Sequence, residues 1–309
     1  MLTNNPSNIW KNKTIPIAHH DPKYDSKNNE RIFSWFGTDS YENYIKNGNK
    51  IFSKDCITYD INSFGYRTKE FDQINKDAFK ILVCGCSQTF GMGLPIEMRY
   101  GEQLKELIQQ KYNLQEIEII NLGIGGRSID FVVRTIFQSI FVLNPDYVFC
   151  LLPDLIRREY ISYNNNEIFP KHFGIWVRKE DGFSDISNED FSIAMTTLMS
   201  DEWDFFSFIK NISFLELILK NYQWSWDTWS KHLISITRDI TANLEQYLDI
   251  THYRQQKHYR EQKYYIQNEK ARDNAHAGPN YHRYIADDLI TDEHLITAIN
   301  DYKERYKNV

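Results

Sequence analysis

The amino-acid sequence predicts an α/β protein built on a parallel sheet, and three observations carry that expectation. Three apolar runs of strand length, "FKILVCG" (79–85), "IEIINLG" (117–123) and "YVFCLL" (147–152), each read as buried on both faces. The stretches between them repeat apolar residues at helical spacing. The first two runs also end in glycine-rich turns that lead on into those helices. Strand, helix, strand, helix, strand implies parallel strands joined by right-handed crossovers.

Taken in order, residues 1–75 are polar and aromatic without sustained periodicity and contain Pro6, Pro16 and Pro22, which reads as an arm over the main domain. His19, His20 and Asp21 are adjacent, so on an extended segment they diverge; a surface loop fits them better than a metal site. Residues 76–158 hold the three strands. Tyr100, Leu104, Leu107, Ile108 and Lys111 mark the first helix, and Ile129, Val132, Val133, Ile136, Phe137 and Ile140 the second. Residues 159–265 read as a mostly helical, aromatic-rich insertion. There Trp226, Trp229, Leu233, Ile236, Ile240, Leu244 and Tyr247 hold one helical face, with Asp227 as N-cap. The tandem "HYRQQK" and "HYREQK" (252–263) has a period matching no helix face and reads as a duplication in a solvated helix. Residues 266–309 end the chain, with Tyr281, Ile285 and Leu289 on a helix after Pro279.

The totals exclude several classes. With 36 basic and 42 acidic side chains the net charge is −6, which draws the chain to neither nucleic acid nor anionic membranes. No run is long and apolar enough for a membrane span, and the first residues lack a signal peptide's apolar stretch, so a cytoplasmic location is expected. Four cysteines, Cys56, Cys84, Cys86 and Cys150, are too scattered for a disulfide framework, and no second Cys or His pair gives zinc-ligand spacing; neither metal nor cofactor is expected. Cys84 is expected to pack in the core.

Chemistry concentrates at the strand ends. A buried parallel strand ending in a glycine-rich turn presents its next side chain at the carboxyl edge of the sheet, where α/β proteins bind ligands. Ser87 stands there, among Gly85, Gly91 and Gly93. The Lys-Ser/Thr ending of a phosphate-binding loop and the dinucleotide-binding spacing are both missing, while a purely structural turn stays open. The second turn, "NLGIGGRS" (121–128), offers backbone N–H groups that can stabilise a developing negative charge. A serine hydroxyl needs a base to take its proton. Asp273 lies three residues before His276, so its carboxylate can fold back onto the imidazole; a solvated helix-entry turn is the alternative.

The segments "ILVCGCSQTFGMGL", "EIINLGIGGRS" and "ARDNAHAGPNYHRYIADDL" together resemble the first, second and fifth blocks of the SGNH/GDSL hydrolase superfamily. The upstream "NSFGYRTKEF" is similar to its "N-x-x-G-x-R" lead-in. The resemblance spans roughly residues 60–158 and 265–292. It implies a three-layer α/β/α, flavodoxin-like fold with an N-terminal arm and a helical insertion. It further implies serine esterase chemistry through an acyl-enzyme, on a carbohydrate or small-molecule ester, acetyl esters among them.

By position, Ser87 is the implied nucleophile and one oxyanion donor, Gly126 the second donor, His276 the base and Asp273 its orienting carboxylate. Two departures stand out: Cys86 replaces the aspartate of "GDS", and "LLPDLIRRE" (151–159) puts Pro153 where the third block has its oxyanion asparagine. Proline has no N–H and no side-chain donor. Arg157 and Arg158 are the candidate substitutes, Asp154 is expected to pair with Arg157, and His282 to pack. The alternatives are an SGNH fold kept for binding or assembly, and an acyltransferase. The lead-in, the "GCS" variant and the long insertion are also similar to proteins of large tailed phages, which adds virion association to the expected locations.

Overall fold

A computed structural model describes residues 15, 18, 31–47, 51–155, 157–164, 167–173, 201–229, 250–254 and 269–306. In the N-terminal arm β1 (Ile32–Phe33) pairs antiparallel with β2 (Tyr59–Asp60), and α1 (Tyr41–Asn47) lies between them. Buried Ile57, Tyr59 and Ile61 pack with Phe90 and Met92 of the main body, so the arm has its own small core against the first glycine-rich turn.

The central strands then run in order: β3 (Phe79–Gly85), α2 (Ser87–Phe90), α3 (Tyr100–Tyr112), β4 (Ile117–Asn121), α4 (Ile129–Leu143) and β5 (Tyr147–Leu152). An antiparallel hairpin follows, β6 (Arg158–Asn164) with β7 (Glu167–Phe173). The chain returns through α5 (Asp201–Leu219) to β8 (Gln223–Thr228), and closes with α6 (Pro279–Leu289) and α7 (Glu293–Tyr306).

The main sheet has the order β4-β3-β5-β8, with every pair parallel. Successive side chains of a strand face opposite ways, and the core divides accordingly. Leu82, Cys84, Ile120, Val148, Cys150, Trp224 and Trp226 pack under α4 and α5. Ile81, Val83, Ile117, Ile119, Tyr147, Phe149 and Leu151 face α3, α6 and α7. The molecule is therefore a three-layer α/β/α protein, and Cys84 is a fully buried core residue as expected.

One expectation is overturned. Trp226 and Asp227 do not open a helix: they belong to the fourth parallel strand, 223–228, registered with Cys150 opposite Trp226 and Leu151 opposite Asp227. Trp226 fits a period of two with Trp224 and a period near 3.6 with Trp229, and the open edge of β5 selects the first. The 159–265 segment thus completes the sheet as well as covering it. The rest of the proposed helical face (Leu233 to Tyr247), the repeat beyond Arg254, and His19, His20 and Asp21 lie outside the described residues.

Candidate active site

The sheet order decides where a site can form. The chain leaves β3 toward β4 and leaves β5 toward β8 on the opposite side, so a crevice opens beyond the carboxyl ends of β3 and β5. Ser87 is the first residue of α2, just past β3, and is buried. A Cβ on Gly85 would lie 2.2 Å from Thr89 Oγ1 and 2.6 Å from the Leu151 carbonyl oxygen, so only glycine lets the turn lie this close to β5. Gly91, with φ of 75°, ends the short helix in the left-handed conformation.

The second turn docks on the first. Asn121, the last residue of β4, donates from Nδ2 to the Thr89 carbonyl at 2.6 Å and accepts the Gly123 N–H at 2.9 Å. The lead-in supplies a brace. Arg67 is buried and donates to the carbonyls of Gly91 (2.7 Å), Leu94 (2.9 Å) and Thr58 (3.0 Å), with its guanidinium 4.3 Å from the Tyr59 ring centroid. Asn62 Oδ1 accepts from the N–H groups of Phe64 and Tyr66, which shapes the loop that aims Arg67.

The C-terminal turn comes back to the same edge. The Arg272 N–H donates to the Gly93 carbonyl at 2.9 Å, which sets the next residue, Asp273, beside the turn that follows β3. Asp273 Oδ1 accepts from the N–H groups of Ala275 and His276, both at 3.0 Å. Its Oδ2 lies 2.6 Å from His276 Nδ1 and accepts the Thr38 hydroxyl at 2.8 Å. Burial by itself would raise the Asp273 carboxyl, but the hydrogen bond and charge of His276, that residue's N–H and the Thr38 hydroxyl outweigh it and hold the group at about 2. The carboxylate is therefore ionised at any working pH and fixes the imidazole with Nδ1 toward it.

Ser87 and His276 line one cavity of about 390 Å³, together with Gly125, Gly126, Arg127, Arg157, Ile124 and Met92, and with Phe36, Gly37 and Thr38 from the arm. The Ser87 hydroxyl points to Cys86 Sγ at 3.9 Å rather than to the imidazole. Such hydrogen bonds commonly tighten only when substrate is bound. Gly126 lines this cavity, with φ of 72° and open space where a Cβ would be.

The third-block residues separate into two groups. Arg157 reaches the cavity: its guanidinium lies 4.9 Å from the Trp229 ring centroid and donates to the Arg127 carbonyl at 3.4 Å. Arg158 instead donates to the Leu155 carbonyl at 2.7 Å and pairs with the buried Asp204, so it does not line the cavity with Arg157. Asp154 meets Arg157 through its backbone carbonyl, which accepts the Arg157 N–H at 3.2 Å. His282 packs as expected: its Nδ1 accepts the Tyr100 N–H at 3.2 Å at the start of α3, its ring lies 5.9 Å from that of Tyr100, and burial, then Arg99, then His276 lower it to about 3.

Two contributors were missed in the sequence. Trp229, read as part of a helix face, donates its indole N–H to Cys86 Sγ at 3.2 Å and so occupies the residue that replaces the "GDS" aspartate. The turn from Phe36 to Asp39 forms a cavity wall, yet no pattern around "WFGTDS" marks it. Among the described residues no cluster of metal-ligating side chains occurs, and no helix is long and apolar enough to cross a membrane.

The parallel sheet order of this three-layer α/β/α fold, Ser87 after β3 and the Asp273–His276 pair at the same edge agree with the arrangement that the sequence resemblance to SGNH hydrolases implies. No protein-family model and no curated protein sequence matches the chain. Solved structures similar to it include a lipase from a goat rumen metagenome, with 14% identity, 70% of this chain and 98% of that one covered and a TM-score of 0.44. A Clostridium thermocellum family 3 carbohydrate esterase has 15% identity, coverage of 71% and 96%, and a TM-score of 0.41. An acetyl-xylooligosaccharide esterase from Geobacillus has 14% identity, coverage of 69% and 93%, and a TM-score of 0.41. Likenesses at this level assign no activity, so the chemistry of the chain has to be read from its own geometry.

Proposed function

We propose that the protein is a serine ester hydrolase of SGNH type, acting on an ester of a carbohydrate or other small molecule, with acetyl esters the first to try. The observation that carries this reading is the shared cavity: a buried serine after the central strand and an imidazole held at 2.6 Å by an ionised carboxylate line the same space.

Ser87 Oγ attacks the ester carbonyl carbon while His276 Nε2 takes the hydroxyl proton, and the imidazolium that forms is stabilised by Asp273. The oxyanion is held by the Ser87 and Gly126 N–H groups, with Arg157 in the role that the third-block asparagine has in similar proteins. When the anion collapses, the bond to the leaving alcohol breaks and His276 returns the proton to that oxygen. Water then repeats the sequence on the acyl-enzyme and releases the acid. An alcohol in place of the water would make the same residues an acyltransferase.

Pro153 favours a second reading, an SGNH fold retained for binding or assembly, in a virion among other settings. Turnover of p-nitrophenyl acetate together with covalent labelling by a fluorophosphonate probe separates the two. The hydrolase reading expects wild type to be labelled and Ser87→Ala to be neither labelled nor active. A wild type with neither labelling nor turnover supports the binding reading instead.

A further inference from the structure

The arm is joined to the site at one atom of the catalytic pair. Asp273 Oδ1 is occupied by two backbone N–H groups from its own turn, while Oδ2 receives the imidazole and the Thr38 hydroxyl, 235 residues earlier in the chain. We infer that Thr38 is a positioning residue for the Asp273–His276 pair and that the arm, through it, is a working part of the site. The inference rests on the hydrolase reading for its kinetic consequence, and on geometry alone for its structural one.

The arm has no need of this hydrogen bond to stay in place. Asp39 and Arg272 form a fully buried ion pair, 2.6 Å between Oδ2 and Nη2. Arg272 also donates to the carbonyls of Lys54, at 2.7 Å, and Ser34, and lies 3.8 Å from the Trp35 ring centroid. On the other side, the Tyr59 hydroxyl donates to Asp39 at 2.6 Å and accepts the Gly93 N–H at 2.8 Å. The turn between them, with Gly37 at φ of 56° and a bridge from Phe36 to Asp39, is thus held by buried groups that do not include Thr38. Thr38 itself is an exposed residue at the cavity rim. What its hydroxyl adds is a second donor on Oδ2, which fixes the plane of the carboxylate and draws charge from the atom that faces the imidazole.

Among the described residues, few charged and titratable groups surround the pair. Arg272 and Asp39 neutralise each other beside it, His282 lies behind His276, and Arg127 and Arg157 line the cavity. Removing the Thr38 hydroxyl leaves Oδ2 more basic, so it holds the imidazolium more strongly.

The test compares Thr38→Val, nearly equal in size but without the hydroxyl, with Thr38→Ser, which restores it. For Thr38→Val the inference expects kcat about tenfold lower with KM unchanged, and an acid limb of kcat/KM moved up by about half a pH unit. Thr38→Ser is expected to behave as wild type, and Thr38→Val to lose some thermal stability but remain fully folded at the assay temperature. The His276 imidazole is also titrated by NMR in each protein, a measurement that needs no turnover. If wild type has no esterase activity the hydrolase reading fails, while the imidazole titration still decides the role of Thr38. An unchanged His276 titration in Thr38→Val overturns the inference, as does a Thr38→Ser protein as impaired as Thr38→Val.

Discussion

Single residues show which departures from the SGNH pattern matter. Cys86 in place of the "GDS" aspartate is absorbed by packing, because the thiol accepts the Trp229 N–H. Pro153 is a loss of a donor, and on the proposed reading Arg157, which lines the cavity beside Arg127 and donates to its carbonyl, stands in for it. Arg157→Ala is expected to lower kcat about a hundredfold with little change in folding, measured as turnover beside a thermal melt. Asp273 makes a second prediction. Its carboxyl is lowered from 3.8 to about 2 in the folded state, so its contribution to stability is complete above about 4 and is lost as pH falls through 2. The contribution is about 2 kcal/mol. Asp273→Asn should therefore destabilise the protein near neutral pH and flatten the fall of melting temperature between pH 4 and 2. It should also lower activity sharply.

Among the elements, the two glycine-rich turns act as one unit. A Cβ on Gly123 would lie 2.6 Å from the Phe90 nitrogen and 2.7 Å from Thr89 Cβ, so the turns after β3 and β4 touch through backbone. Gly123→Ala must push them apart. The expected cost is about 1–3 kcal/mol, with loss of fluorophosphonate labelling even at temperatures where the variant is folded; labelling equal to wild type would show that the turns need not touch. These turns were legible in the sequence because their cause is local: glycines, a preceding apolar run and a following helical period. The fourth strand was not, since six residues with tryptophans at 224 and 226 satisfy a strand and, joined to Trp229, a helix as well. Only pairing with β5 separates the two.

For the whole molecule, pH and the arm are the two levers. His282 is buried and neutral, lowered from 6.5 to about 3, so the unfolded chain takes up a proton that the folded one refuses. Stability on this account is full above about 6.5 and declines as pH falls toward 3. His282→Gln should weaken that decline in a melting series from pH 7 to 4, and an unchanged slope would assign it to other groups. The arm depends on Asp39: Asp39→Ala leaves Arg272 buried beside the Asp273 turn without its counter-charge, and is expected to cost about 3–5 kcal/mol and to reduce activity along with stability.

The sequence by itself determined the three central strands, their crossover helices, and the residue types of the proposed site at Ser87, Asp273 and His276. Each of these depends on neighbours a few positions away, through periodicity, glycine conformation or the short reach from a carboxylate to an imidazole. Only the tertiary structure decided that Trp224 and Trp226 belong to the sheet, that Arg157 and not Arg158 faces the cavity, and that Thr38 touches Asp273. Those facts follow from which surfaces are left open once the core has formed. Pairing across an open strand edge, the choice of partner for a guanidinium and a contact over 235 residues leave no periodic trace in the chain.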